Sequence, residues 1–248
     1  MRLFGRTAAG VLIALLAAVA IACGGDDKKE EQSEATAPSQ PDPAVLAQQA
    51  ADAMEAVRSL HFLLEHENGG TPIVLNLNMT RAEGDLVKPD RLRADVEAKA
   101  TQLGNANVNV KAVNVGDKLM VTNPFNSRQW VPVPGDNRLA SIFDPAAGTT
   151  AALRSVKNPR ITGEETINGV KVWRIEGDVD AAELQEALST VAEPGYTAKG
   201  TAWVGQEQPL VYRIRLEGPL GPKDPENIVR KLDLSNFDEN VSIELPSS

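Results

Sequence analysis

Residues 91–100 read RLRADVEAKA, and apolar and charged side chains alternate through this stretch without a break. Successive side chains on a β-strand point to opposite faces. Leu92, Ala94, Val96 and Ala98 would therefore share one face, and the five charged side chains would share the other. This pattern predicts a strand of an antiparallel sheet that has one face in the core and one in water.

The same period of two extends in both directions along the chain. Residues 71–82 are predicted as one strand, with Ile73 and Leu75 on its apolar face. Residues 107–115 are predicted as a strand whose apolar phase shifts at Val113, before a tight turn at residues 116–117. Further predicted strands are residues 61–67, 118–122, 128–132, 159–167, 170–177, 196–204, 210–217, 227–237 and 241–245.

Three regions have helical character instead. Residues 44–60 repeat apolar side chains at intervals of three and four, which is typical of an amphipathic helix. Residues 139–143 and 146–156 lack the strand period, and residues 180–191 form another amphipathic stretch with Asp180 as its cap. About ten antiparallel strands with helices beside them predict the α+β class. We expect a large, curled sheet with the helices on its concave side, enclosing an apolar cavity.

The N-terminus has the layout of a secretion signal. Arg2 and Arg6 precede an apolar run at residues 11–21, which is shorter than the roughly 20 residues of a membrane-spanning helix. The run ends in AIACGG at residues 20–25, which resembles the lipobox of bacterial lipoproteins. The resemblance implies cleavage before Cys23 and attachment of lipid to the Cys23 sulfur, which anchors the protein to a membrane.

Three segments follow from these patterns. Residues 1–22 are predicted as the signal peptide, residues 23–43 as a charged and proline-rich disordered tether, and residues 44–248 as one folded domain. Loss of Arg2 and Arg6 with the signal changes the formal charge from −9 to −11. An acidic surface argues against nucleic acid as a partner.

No motif for catalysis or for a cofactor is present in the sequence. The chain lacks the nucleophile elbow, the phosphate-binding loop and the zinc-protease helix motif. Its two histidines, His61 and His66, lie five residues apart on a predicted strand and would point to opposite faces. We therefore expect no metal site, no cofactor and no enzyme activity, and we expect the histidines at the surface or rim.

The order of these elements resembles that of the LppX/LprG/LprA/LprF family of mycobacterial lipoproteins. Four stretches carry the likeness, which covers nearly all of the chain after Pro43. They are residues 57–62 (VRSLHF), 82–90 (AEGDLVKPD), 113–119 (VNVGDKL) continuing to Trp130, and 143–148 (FDPAAG) followed by Leu153.

The resemblance implies a half-barrel fold that holds the acyl chains of lipids or lipoglycans and carries them across the cell envelope. The protein would lie at the outer face of the cell membrane, with an envelope transporter as a candidate partner. Residues 139–156 would lie at the cavity mouth and could act as a lid. The side chains expected to line the cavity are Phe62, Leu75, Leu77, Leu92, Val96, Val110, Leu119, Trp130, Phe143, Leu153, Trp173, Leu184, Leu188 and Trp203.

Three alternatives remain open at this point. Periodicity alone favours a solid core made of the same apolar residues, and only the resemblance favours a cavity. The fold could also serve a non-catalytic sensor or scaffold that binds a protein partner, which an exposed apolar patch would indicate. An esterase is the weakest alternative, since only His61 and His66 could supply its base.

Overall fold

The computed structural model describes residues 40–124, 126–134, 145–185 and 192–246. In these residues twelve strands form one antiparallel sheet that is curled but not closed, and two α-helices pack against it. The predicted α+β class and curled sheet are confirmed, with twelve strands in place of about ten. The helices are α1 (Pro43–Ala56) and α2 (Pro145–Ser155). The strands are β1 (Ser59–Glu67), β2 (Thr71–Ile73), β3 (Leu77–Val87), β4 (Arg91–Ala100), β5 (Ala106–Val115), β6 (Lys118–Asn123), β7 (Asn126–Val133), β8 (Lys157–Ile167), β9 (Val170–Asp180), β10 (Thr197–Gly205), β11 (Val211–Glu217) and β12 (Val229–Ser235).

The sheet consists of two meanders joined in the middle. Its order is β7-β6-β5-β4-β3-β1-β12-β11-β10-β9-β8, and the short strand β2 pairs with β3 off this path. The joint is the antiparallel pair of β1 and β12. β7 and β8 are the outer strands, and each contains a proline, Pro132 and Pro159. Proline cannot donate a ladder hydrogen bond, so it is suited to an edge strand.

The two faces of the sheet differ in polarity as the sequence predicts. On β4, the apolar residues from Leu92 to Ala98 are buried and the alternating charged residues are exposed. The buried face packs against Ala50 and Met54 of α1 in one main core. The other face carries cross-strand ion pairs, such as Arg93 with Asp85 at 2.7 Å. Each exposed pair contributes little to stability, but together they keep this face in water.

Helix α1 begins and ends at identifiable signals. The Asp42 carboxylate accepts hydrogen bonds from the backbone N–H groups of Ala44 and Val45 at 2.8 and 3.1 Å, and Pro43 occupies the first turn. The helix ends at Ala56, four residues before the predicted end, because the backbone becomes extended at Val57 and enters β1.

The predicted single strand at residues 71–82 is wrong. β2 ends at Ile73, and the chain reverses through a 3₁₀ turn at Val74–Asn76, so that Ile73 pairs with Leu77. Leu75 and Asn76 adopt positive φ angles of 61° and 54°. Because the turn has only three residues, the apolar residues before and after it keep the spacing of a single strand. The sequence pattern therefore gives no indication of the hairpin.

Two further strand predictions and one helix prediction need correction. The buried face of β5 does not change at Val113. Buried and less buried residues go on alternating to Asn114, which is buried and whose amide donates to the carbonyls of Gly116 and Lys118. Residues 241–245 are not a strand. Asp180 caps a 3₁₀ turn at Ala181–Leu184, and the rest of the predicted helix, residues 186–191, lies outside the described residues.

Candidate functional site

A groove lies on the buried side of the sheet, over strands β3 to β6. The space between its walls is ≈620 Å³, including the part that is open to solvent. All twelve lining side chains are apolar, so the groove offers no hydrogen bond or charge to a ligand and would gain free energy by burying an apolar group. The lining residues are Phe62, Ile73, Leu75, Leu77, Met79, Ala82, Leu92, Ala94, Val96, Val110, Ala112 and Val121.

A second, smaller groove of ≈310 Å³ lies under α2, on the other half of the sheet. Ala152 and Leu153 of α2 form one wall together with Val156, which follows the helix. Arg154 on the same helix bridges to Asp52 of α1 at 3.1 Å and also pairs with Glu55, which ties the two helices together. The strand side is formed by Ile175, Val179, Gly200, Thr201, Ala202, Ile214 and Leu216.

Seven of the predicted cavity residues line a groove. The first groove contains Phe62, Leu75, Leu77, Leu92, Val96 and Val110, and the second contains Leu153. Leu119 packs in a small cluster with Ala112 and Val121, which themselves line the first groove. Leu184 is fully buried in the main core, Trp173 packs against that core, and Trp130 is half-buried on β7.

The remaining predicted residues lie elsewhere. Trp203 belongs to a separate cluster with Ile167 and Val172, and the Arg213 guanidinium lies 5.6 Å from its ring centre. The alternation of β10 accounts for this, because Ala202 and Val204 are the residues that join the main core. Phe143, Leu188 and the predicted lipidation residue Cys23 lie outside the described residues, as do residues 139–144 of the predicted lid.

The groove owes its depth to residues that the sequence-based list omits. Ala82, Ala94 and Ala112 line it, and their short side chains leave the space that a leucine or valine would fill. Ile73 and Met79 complete its wall. Ala94 and Ala112 share faces with the predicted residues Leu92 and Val110, and the preference for large side chains hid them. Ile73 and Met79 belong to the face predicted as apolar with Leu75 and Leu77. Ala82 follows an irregularity between Met79 and Arg81 that shifts the buried phase of β3 by one residue, so strict alternation could not identify it.

A polar cluster adjoins the groove at Met79, whose cross-strand partner is Thr71. The His66 ring donates from Nδ1 to the carbonyl of Thr80 at 3.3 Å and accepts at Nε2 from the hydroxyl of Thr71 at 2.9 Å. Burial, followed by the positive charge of Arg230, lowers the pKa of His66 to about 4. The ring is therefore neutral at pH 7, and the His66 side chain is half-buried.

Arg230 forms a buried ion pair beside His66. Its Nη2 donates to the Asp224 carboxylate at 2.7 Å, and both side chains are less than one-tenth exposed. Among the described residues, its Nε and Nη1 have no hydrogen-bond partner. Loss of Asp224 would leave a buried charge without compensation, which destabilises a fold by about 3–5 kcal/mol.

The described ranges contain neither a cluster of metal-ligating side chains nor a membrane-spanning helix. No three His, Cys, Asp or Glu side chains converge there on a point that could hold a metal ion. Within the same ranges, neither α1 nor α2 is long and apolar enough to cross a membrane.

Comparison with known proteins gives one family and several relatives. The family described as LppX_LprAFG lipoprotein matches residues 42–243. The chain is 25% identical over 247 residues to the lipoarabinomannan carrier protein LprG of Mycolicibacterium smegmatis, with 98% of each chain covered. It is 24% identical over 258 residues to the putative diacylated glycolipid transporter LprF of Mycobacterium bovis, covering 97% of this chain and 92% of the other.

Solved structures share the fold. The crystal structure of LprF from Mycobacterium bovis matches with a TM-score of 0.67 and 19% identity, over 84% of this chain and 99% of that one. The crystal structure of LppX from Mycobacterium tuberculosis matches with a TM-score of 0.56 and 22% identity, over 82% of this chain and 100% of that one. At these identities the likeness establishes the architecture alone.

Proposed function

Because the chain belongs to the LppX_LprAFG lipoprotein family, we propose that it is a non-catalytic carrier that binds lipid acyl chains in the groove over β3 to β6. The entirely apolar lining of that groove is the observation that carries the proposal. Each methylene moved from water into such a wall contributes about 0.8 kcal/mol. A lipid headgroup would find no polar partner on this lining and would stay at the mouth.

The ligand class is proposed from the relatives. Two of them are named as a lipoarabinomannan carrier and a putative diacylated glycolipid transporter, which supports a lipid or lipoglycan with acyl chains as cargo. Movement of this cargo across the envelope, with an envelope transporter as partner, is part of the same proposal. Residues 139–156 remain the predicted lid.

We also propose that the mature protein is anchored through lipid on Cys23 at the outer face of the cell membrane. Residues 23–41 would serve as the tether, since Asp42 caps α1 and Pro43 begins it, and the tether would have a maximum extension of about 65 Å. Expression of Cys23→Ser in an envelope-competent bacterium tests the anchor. We expect the variant to leave the membrane fraction, and retention there at the wild-type level would contradict the proposal.

The carrier function is tested by filling the groove with a side chain. Val110 is buried on β5 and lines the groove, whereas its neighbour Asn109 points away and is exposed. Val110→Trp should abolish binding of a fluorescent fatty acid by the detergent-free protein, and Asn109→Trp should leave it unchanged. A smaller change on the same wall, Ala94→Leu, should weaken binding, and circular dichroism would verify that each variant is folded.

Two outcomes would contradict the carrier proposal. One is a wild-type protein that neither retains lipid during purification nor takes up the fatty acid. The other is folded Val110→Trp protein that binds the fatty acid as tightly as wild type. The first result would favour the sensor or scaffold alternative, and the second would indicate that lipid binds outside this groove.

A further inference from the structure

We propose that two neighbouring turns form a docking rim that places the groove mouth directly on a lipid bilayer. The docking rim comprises the turn Val74–Asn76 between β2 and β3 and the turn Thr101–Leu103 between β4 and β5. The inference rests on the proposed carrier function and specifies how cargo would enter.

The two turns lie at the same end of the sheet. β3 begins with Leu77, which pairs with Ala100 at the end of β4, so the turns that precede and follow these residues are neighbours. The hydroxyl of Thr101 donates to the carbonyl of Asn76 at 2.9 Å and joins the two turns.

Each turn presents one leucine to the surface. Leu75 is 50% exposed and Leu103 is 51% exposed; among the described residues, Val45 on α1 is the other large apolar side chain with comparable exposure. Leu75 has a left-handed backbone, with a φ of 61°, a conformation in which asparagine or glycine is the usual residue. Neither turn geometry nor solvent exposure accounts for a leucine at this position.

Leu75 also belongs to the groove wall, so the apolar lining continues without interruption onto the docking rim. An acyl chain that leaves a bilayer at this point would pass from hydrocarbon to groove with little contact with water. This continuity favours a bilayer over a protein partner, which would have to withdraw before cargo could pass.

Charge is absent from the β2–β3, β4–β5 and β6–β7 turns at this end of the sheet, although the chain is 24% charged. The charged residues Glu67, Lys223 and Glu226 lie farther along the same end, beside β1 and β12. Residues 69–80 and 100–110 contain no Asp, Glu, Lys or Arg, and neither do residues 119–127 around the β6–β7 turn. At the opposite end, the turns after β3 and β5 carry Lys88, Asp90 and Asp117. Charged groups are costly in hydrocarbon, so these neutral turns are the part of the end that is suited to contact a bilayer.

A polarity-sensitive fluorophore on Leu103 tests the docking itself. Residues 24–248 contain no cysteine and retain the whole described core, so Leu103→Cys can be labelled at a single site. Neutral phosphatidylcholine vesicles should shift the label to shorter wavelength, independently of added salt. The matched control is Val45→Cys, which should not respond. If the emission of the label at Leu103 did not shift, or if the label at Val45 shifted equally, the proposed docking rim would be overturned.

Cargo transfer separates failure of docking from failure of the carrier function. Leu103 does not line the groove, so Leu103→Asp should bind a monomeric fatty acid in vesicle-free solution as wild type does. Its uptake of a fluorescent lipid from vesicles should be slower by about tenfold or more, since a charge replaces an inserted leucine. Val45→Asp should transfer at the wild-type rate. Unchanged transfer by Leu103→Asp would overturn docking alone, whereas a wild-type protein that binds no fatty acid would overturn the carrier function.

Discussion

His66 should make the stability of the protein depend on pH. Its pKa of about 4 in the folded state lies below the ordinary 6.5, so unfolded chains bind more protons between these values. The stabilisation is therefore complete above about pH 6.5 and is lost as pH falls towards 4. From pH 7 to pH 4, wild type should lose about 3 kcal/mol more than His66→Gln, measured by urea unfolding.

The control for this prediction is the other histidine. His61 lies on the outer face, where its Nδ1 is 2.9 Å from the Asp85 carboxylate. His61→Gln makes the same substitution on that face, and His66→Gln should reduce the loss of stability between pH 7 and pH 4 by more than His61→Gln does. Equal pH dependence in wild type and His66→Gln would contradict a depressed pKa at His66.

At the scale of single residues, the sequence predicted which face of the sheet a side chain lies on better than it predicted how deeply that side chain is buried. Alternation placed Leu92, Val96 and Val110 on the face that carries the groove. It could not reveal that Trp203 faces the other way, because both faces of β10 carry apolar residues near its end. Nor could it indicate that Asn114 is buried, since its amide is satisfied by the hairpin turn that follows it.

A glycine controls how closely β3 and β4 approach each other. A Cβ built on Gly84 would lie 1.9 Å from the Arg93 carbonyl oxygen and 2.8 Å from the Ala94 Cα. The obstructing atoms are backbone and cannot rotate away. Gly84→Ala should therefore destabilise the protein by about 2 kcal/mol or more, measured by chemical denaturation.

Gly163 on β8 provides a matched comparison. The nearest atom to a Cβ at this position is Arg174 Nη2 at 3.7 Å, which is ordinary contact. Gly163→Ala should change the free energy of unfolding by no more than about 0.5 kcal/mol. If Gly84→Ala had an equally small effect, the claim that β3 and β4 approach too closely for a Cβ at Gly84 would be wrong.

At the scale of elements, long alternating segments were predictable and their interruptions were not. β4 begins and ends where the sequence predicts, because ten residues alternate without exception. The sequence did not predict the reversal at Val74–Asn76, because its two positive φ angles fall on leucine and asparagine and no glycine marks the turn. Residues 241–245 alternate but find no strand to pair with.

For the whole molecule, cargo should raise the melting temperature. A ligand that binds only the folded state at one hundred times its dissociation constant adds about 2.7 kcal/mol, which corresponds to about 5–10 °C for a domain of this size. Saturating fatty acid should produce this rise in wild type, measured by scanning calorimetry. Val110→Trp should show no rise, and an equal rise in that variant would indicate binding outside the groove.

In the described part of the chain β7 and β8 are the two ends of the sheet, and this has a consequence for cargo size. A closed barrel has a perimeter fixed by its strand number and stagger, so its interior cannot widen unless backbone hydrogen bonds break. Here β7 and β8 end the sheet and are not bonded to each other in the described part of the chain. The curvature of the sheet can therefore relax around a thicker cargo and tighten around a thinner one while every ladder bond stays formed.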